Sequence, residues 1–124
     1  KGSGRIVVDI QPDGDLMFDA GALWVAAKHA IPILIVMHNN RAYYNDWEHQ
    51  IRIARLRGTD EGKAHIGMDL LGPEPDFAAL ARAMGCHGEG PIERPQDVRP
   101  ALERALAEVK KGRPALVDTI TQHR

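Results

Sequence analysis

The chain alternates between short, continuously apolar runs and longer segments in which apolar residues recur every three or four positions. The short runs predict three strands, because β-branched stretches bounded by Gly, Pro, Asp or Asn are typical of strands. The middle run shows no polar alternation, which indicates a strand covered on both faces. The predicted strands are Arg5–Ile10, Ile33–Met37 and Ala115–Thr121.

The helical spacing predicts four helices, all of them between the first and the last of these strands. The first ends before Pro32, because a residue preceding proline is pushed out of the helical conformation. Another has Asp76 as a candidate N-cap and ends at Gly85. The helices are expected from Asp19 to Pro32, over Trp47–Leu56, over Asp76–Met84 and over Val98–Val109 with Gly112 behind it.

The segment Arg57–Pro75 is rich in glycine, proline and charge and predicts a long loop, either a lid over a site or a solvated connector. Elsewhere strands alternate with helices. That order predicts an α/β fold, with a mainly parallel sheet between two helical layers, α/β/α.

The charge balance excludes several classes of function. The 124 residues include 16 Lys and Arg and 17 Asp and Glu, so the net charge is close to zero. Such a balance gives no general electrostatic attraction to nucleic acid or to an anionic membrane. The single cysteine, Cys86, allows no internal disulfide and fits a reducing compartment. The longest apolar run, Ile31–Met37, is too short to span a bilayer. A soluble, cytoplasmic protein is expected.

Oxygen-bearing side chains follow the first two predicted strands. Asp13, Gly14 and Asp15 come after the first strand, and Asn39 and Asn40 follow the second. Ligands of open parallel sheets bind beyond the carboxyl ends of the strands, so these residues meet if the two strands are neighbours. Carboxylate and amide oxygens suit Mg²⁺, which takes its remaining ligands from phosphate and water. The pattern predicts a magnesium site with a phosphorylated partner.

Asp13-Gly14 and Asn39-Asn40, one strand–helix–strand unit apart, resemble the signature of the C-terminal domains of thiamine diphosphate (ThDP) enzymes such as acetolactate synthase and benzoylformate decarboxylase. The resemblance implies the ThDP-binding fold and the cofactors ThDP and Mg²⁺. It implies that Asp13, Asn40 and the main-chain carbonyl of Ala42 bind the metal, and that Gly14 and Asp15 approach the diphosphate. It continues through Pro75–Gly85 to the last strand.

The chain departs from this family pattern in two respects. Pro12 stands where the family's first glycine is usual, and proline removes an N–H donor. The resemblance also implies that residues 1–124 form a partial diphosphate- and Mg²⁺-binding domain, without its upstream part and without the pyrimidine-binding domain. That domain, often on another subunit, is therefore an expected partner in a homo- or hetero-oligomer, and the isolated chain is expected to be inactive.

Several residues also have structural interpretations. His38 lies on the same strand face as Asn40 and could approach the cofactor or simply be a hydrogen-bonded structural histidine. Tyr43, Tyr44 and Trp47 could line a pocket or pack against neighbouring domains.

The leading hypothesis is the cofactor-anchoring part of a ThDP- and Mg²⁺-dependent lyase or transferase that acts on 2-oxo acids or related carbonyl compounds, by decarboxylation or carboligation. The alternatives are a non-catalytic phosphate- or nucleotide-binding α/β module and a remnant subunit that has lost the cofactor. A nucleotide preference would favour the first alternative, and failure to bind Mg²⁺ and diphosphate would favour the second.

Overall fold

A computed structural model of the chain describes residues 4–122. The expected domain over residues 1–124 therefore includes five terminal residues outside the described range. Four strands and five helices follow one another, with a short 3₁₀ turn at Glu61–Lys63. In chain order they are β1 (Val7–Pro12), α1 (Asp13–Phe18), α2 (Gly21–Lys28), β2 (Ile33–Asn39), α3 (Tyr44–Arg57), α4 (Phe77–Ala83), β3 (His87–Ile92), α5 (Pro95–Lys110) and β4 (Ala115–Ile120).

The strands form one sheet in the order β1-β2-β4-β3, and every pairing in it is parallel. The register places Pro12 opposite His38 and His38 opposite Thr119. The carboxyl ends of β1, β2 and β4 therefore reach one edge of the sheet. The predicted parallel α/β architecture is confirmed, and the expected neighbours β1 and β2 do pair.

Two apolar clusters cover opposite faces of the sheet and make three layers. On one face, Leu23 of α2 and Phe77 of α4 pack on Ile35 and Met37 of β2. On the other face, α5 packs on Leu34 and on β4 through the residues Ala101, Ala105, Val109, Ala115 and Val117. The continuous apolar sequence of β2 is thus explained, because its successive side chains enter two different cores.

Strand β3 was missed by the sequence prediction. Its sequence, His87–Ile92, contains two glycines and a proline and has no apolar run. Gly88 shows one reason why this strand lacks large apolar side chains. A Cβ on Gly88 would overlap the carbonyl oxygen of Ala78 in α4, so the strand and the helix approach too closely for a side chain. The helix prediction was better, although α3 and α5 both begin about one turn earlier than the apolar spacing indicated.

Strand β1 is only partly covered. Val8 and Ile10, on the face toward the α5 layer, are 53% and 65% exposed, because α5 does not reach this edge of the sheet. Trp24 and Phe18 add exposed apolar surface on the neighbouring helices. Among the helices within residues 4–122, none has the length and apolar character that crossing a bilayer requires.

The close packing of β3 on α4 makes a test of the fold. Gly88→Ala should lower the free energy of unfolding by about 1–3 kcal/mol, because backbone on both sides must move to admit the methyl group. Urea denaturation of the full chain measures the loss.

Gly21→Ala is the matched control, since the new Cβ would meet only the end of the Asp19 side chain, with Oδ1 at 3.1 Å. Equal stability of the two variants would show that β3 and α4 are not packed as described.

Candidate functional site

The predicted site residues lie at the edge of the sheet where β1 and β2 end. Asp13 is the first residue of α1, directly after β1, and Asn40 directly follows β2. Both strands run parallel, so their ends are adjacent. A cleft of about 390 Å³ opens between them. Its lining includes all five predicted site residues, Asp13, Gly14, Asp15, Asn40 and Ala42.

The carboxylate of Asp13 joins the two strand ends. It is 1% exposed, and its Oδ1 accepts a hydrogen bond from the Gly14 amide at 2.9 Å. Its Oδ2 accepts one from the Ala42 amide at 3.2 Å, across the sheet edge. Burial raises the pKa of Asp13, and the backbone hydrogen bonds oppose that rise without cancelling it.

The Ala42 amide connects the side chains of Asp13 and Asn40. It also donates to Oδ1 of Asn40, at 3.0 Å, so one N–H is shared between a carboxylate oxygen and a carboxamide oxygen. Two of the oxygens that the sequence predicted as ligands therefore face the same point. His38 lines the same cleft, on the side of Asn40, as strand alternation predicted.

The residues Pro12–Asp15 have the composition of a turn, but in the structure the strand ends at Pro12 and a helix begins at Asp13. β1 runs two residues farther than predicted, to Pro12, and Pro12 has extended dihedral angles as the N-cap of α1. The fixed φ of proline suits the end of a strand, where no further ladder hydrogen bond is needed. Asp13 and Asp15 then stand in the first helical turn, where negative charge is favoured.

Gly14 is needed because an aromatic ring lies against it. A Cβ at this position would come within 2.6 Å of Cδ1 of Tyr43. The same ring contacts Phe18, with centroids 5.6 Å apart. Tyr43 therefore packs on the first helical turn and lines the cleft, which is one of the two roles that the sequence left open for it.

Asn39 points away from the cleft and into the fold. Its Nδ2 donates to Oδ1 of Asp118 at 3.0 Å, and both side chains are buried. Burial raises the pKa of Asp118; the Asn39 hydrogen bond opposes this, and the charges of Asp76 and Asp13 add to it. Sequence reasoning missed this pair. The available signal was a single carboxylate within the otherwise apolar start of β4.

The long loop before α4 is attached to the site and is not a freely solvated connector. Here the long loop means residues 58–75. Ala42 forms an isolated antiparallel bridge with Asp69. The Tyr43 amide donates to the Met68 carbonyl at 2.7 Å, and the Leu70 amide donates to the Arg41 carbonyl at 2.8 Å. Both neighbours of Ala42 are therefore hydrogen-bonded to this loop.

A family model described as the thiamine pyrophosphate enzyme, C-terminal TPP binding domain, matches residues 1–119. This chain belongs to that family. Thiamine pyrophosphate is another name for ThDP, so the cofactor implied by the two motifs agrees with the family. The resemblance stated from Asp13-Gly14 and Asn39-Asn40 is confirmed.

Similar proteins carry the same domain within much longer chains. Benzoylformate decarboxylase of Pseudomonas aeruginosa is 30% identical over 118 residues, which cover 95% of this chain and 20% of that protein. The large subunit of acetolactate synthase isozyme 3 of Escherichia coli is 30% identical over 114 residues, 90% of this chain and 18% of that protein. The chain thus spans about a fifth of the length of these relatives.

A solved structure confirms the fold of this ThDP-binding domain. The ThDP-dependent 4-hydroxybenzoylformate decarboxylase of Rhodococcus jostii RHA1 superposes with a TM-score of 0.71 at 27% identity. The match covers 98% of this chain and 20% of that one. The parallel sheet with helices on both faces is therefore a known scaffold for ThDP.

The donor atoms of the ThDP-binding domain fit a hard cation better than a soft one. Asp13 and Asn40 offer oxygen, and each of these oxygens keeps a lone pair beyond the hydrogen bond it accepts from Ala42. Within residues 4–122, no group of three or more His, Cys, Asp or Glu side chains could hold a metal ion. A site of the zinc type is therefore not supported in this part of the chain.

Contact between Tyr43 and Gly14 predicts a measurable coupling. Gly14→Ala should destabilise the full chain by about 1–3 kcal/mol, because the Tyr43 ring must leave its position. Combining it with Tyr43→Ala should recover part of that loss, with a coupling energy of roughly 0.5–3 kcal/mol in a double-mutant cycle from denaturant unfolding. Strict additivity of the two substitutions would contradict the contact.

The Asn39–Asp118 pair predicts a pH-dependent stability. Burial gives Asp118 a higher pKa in the folded chain than its ordinary value of 3.8. The free energy of unfolding therefore falls as the pH rises from 3.8 through the folded-state pKa, because the buried carboxyl must then lose its proton. Asp118→Asn retains an acceptor for Asn39 and removes the buried charge. It should therefore raise the unfolding free energy at pH 7, and the gain should shrink as the pH falls through the folded-state pKa and level off below about pH 4, where the carboxyl is protonated in both states.

Asp118→Leu is the contrasting variant. It leaves Nδ2 of Asn39 buried without its acceptor and should cost about 1–3 kcal/mol. Urea denaturation across the pH range measures both variants. A gain in Asp118→Asn that stays constant with pH would exclude the buried charge as its cause.

Proposed function

We propose that this ThDP-binding domain anchors the diphosphate of ThDP through Mg²⁺, as part of a larger enzyme that acts on 2-oxo acids or related carbonyl compounds. The observation that carries the proposal is the shared Ala42 amide, which directs oxygens of Asp13 and Asn40 to one point. These two side chains and the Ala42 carbonyl are the proposed metal ligands. Gly14 and Asp15, in the first turn of α1, are the proposed contacts to the diphosphate.

The charge of Asp13 supports a cation at this place. The carboxylate is buried, and in the described part of the chain its polar contacts are backbone amides, with no lysine or arginine paired to it. A buried carboxylate without a countercharge is costly, and a bound divalent ion offsets that cost. Mg²⁺ usually retains several ligands from water and phosphate, which matches a site with few side-chain donors.

The chemistry depends on the cofactor. When bound, ThDP would supply carbanion chemistry toward carbonyl compounds, and the protein would contribute binding and orientation. In this domain, Asp13 and Asn40 would hold the metal, and Gly14 and Asp15 would contact the diphosphate from the first turn of α1. Decarboxylation and carboligation would use this same anchor, as the decarboxylase and synthase relatives indicate.

The surface of the chain supports an assembled enzyme. Val8 and Ile10 form an uncovered apolar strip on β1, and Phe18 is 79% exposed beside the cleft. Exposed apolar surface of this kind is typical of interaction sites. We propose that the partner is a pyrimidine-binding domain or subunit of the same enzyme, so that the complete ThDP site lies within a homo- or hetero-oligomer.

Titration calorimetry tests the anchor directly. ThDP is titrated with and without Mg²⁺ into the full chain and into the enzyme assembled with its pyrimidine-binding partner. Asp13→Ala and Asn40→Ala should each weaken Mg²⁺-dependent binding by about tenfold or more, because metal ligands are lost.

Asp19→Asn is the control, because this carboxylate lies at the opposite end of α1. Binding without any need for Mg²⁺, or full binding by Asp13→Ala, would contradict the proposed ligands. A preference for a nucleotide over ThDP would instead favour a non-catalytic binding module.

A further inference from the structure

Arg41 stands between two proposed metal-binding residues in a backbone conformation that favours glycine. Its φ is +62°, in the left-handed region, and it is one of two non-glycine residues with positive φ in the described part of the chain. Side chains with a Cβ rarely adopt this conformation unless their surroundings hold them there. The contacts of Arg41 therefore need an explanation.

The backbone of Arg41 is held on both sides. Its amide donates to Oδ1 of Asn39 at 3.1 Å, and its carbonyl accepts from the Leu70 amide of the long loop at 2.8 Å. Asn39 is in turn fixed by Asp118 of β4. The left-handed turn is thus attached to the centre of the sheet on one side and to the long loop on the other.

The side chain of Arg41 links the same segment to two acidic residues. Its Nε lies 2.9 Å from Oε2 of Glu74, at an angle unsuited to a hydrogen bond, so this contact is an ion pair. Its Nη2 lies 3.8 Å from Oε1 of Glu93, beyond β3. The Arg41 side chain is 26% exposed and that of Glu74 is 49% exposed, so solvent reaches the pair from the Glu74 side and screens it in part.

The consequence reaches Ala42, the next residue. Its amide must point at Asp13 and Asn40 together, and this direction depends on the turn at Arg41. Tyr43, on the other side of Ala42, is bonded to Met68 of the long loop. The long loop therefore holds the backbone before and after the residue whose amide and carbonyl are at the centre of the site.

We propose that Arg41 is a positioning residue: its ion pair with Glu74 fastens the long loop to the Asn40–Tyr43 segment and so fixes the metal-binding geometry without touching the metal. This proposal rests on the proposed function only for its effect on Mg²⁺. Residues that orient the metal ligands without binding the metal themselves typically lower the metal affinity by about 10–100-fold when they are removed.

The first test does not require a cofactor. Amide hydrogen exchange is measured by NMR on the full chain for wild type, Arg41→Ala and Glu74→Gln. Exchange of the Ala42 and Tyr43 amides should become several-fold faster in both variants, while the amides of β2 and β4 keep their wild-type rates. Unchanged exchange at Ala42 in a folded variant would overturn the proposal, whether or not the chain binds ThDP.

The second test measures the Mg²⁺ concentration for half-maximal ThDP binding in the assembled enzyme. Arg41→Ala and Glu74→Gln should raise it by about 10–100-fold, while ThDP affinity at saturating Mg²⁺ changes far less. Arg41→Lys keeps a cation opposite Glu74 and should restore most of the loss. A purely structural role would lower thermal stability and leave the Mg²⁺ requirement unchanged, which would also overturn the proposal.

Arg52→Ala is the matched control, because this arginine lies on α3 and pairs with Glu48 at 3.9 Å, away from the long loop. It should leave both measurements at wild-type values. Asp13→Ala in the same series separates the two hypotheses. If Asp13→Ala binds Mg²⁺ normally, the proposed function fails, and the hydrogen-exchange result still decides whether Arg41 positions Ala42.

Discussion

The site depends on a single backbone N–H. The Ala42 amide is shared between the carboxylate that follows β1 and the carboxamide that follows β2. Neither strand end could hold this arrangement alone, because the two oxygens belong to different connections of the sheet. The parallel pairing of β1 with β2 brings them together, and the helices on the two faces of β2 hold that central strand in place. The site therefore forms only when β1 and β2 pair.

Further polar contacts hold the backbone on both sides of the Ala42 amide. Asn39 joins the end of β2 to Asp118 in β4, and the left-handed turn at Arg41 carries the connection to the long loop. These contacts use buried or half-buried polar groups that are paired with one another, as buried polar groups must be. The strand ends are therefore held by paired polar groups next to the proposed site.

Local chemistry explains how far sequence reasoning could go. Asp13 and Asn40 were found because oxygen-bearing residues after apolar strands have a general meaning in parallel sheets. The helix start at Asp13 was not predicted, because proline and glycine, here Pro12 and Gly14, are residues that also favour turns. β3 was hidden for a similar reason, since Gly88 is selected by the approach of α4 and not by strand propensity. The Asn39–Asp118 and Arg41–Glu74 pairs join residues far apart in the chain, and nothing local to either partner indicates them.

The uncovered face of β1 has a consequence for how such an enzyme would respond to its own assembly. Val8 and Ile10 belong to the strand that leads directly into Asp13, which lies three residues beyond Ile10. A protein surface that covered these side chains would restrict the motion of the strand and, with it, the carboxylate at its end. Subunit association and cofactor affinity would then be thermodynamically linked through six residues of backbone. If the proposed partner covers this strip, dilution of the assembly should weaken cofactor binding, and excess cofactor should favour association.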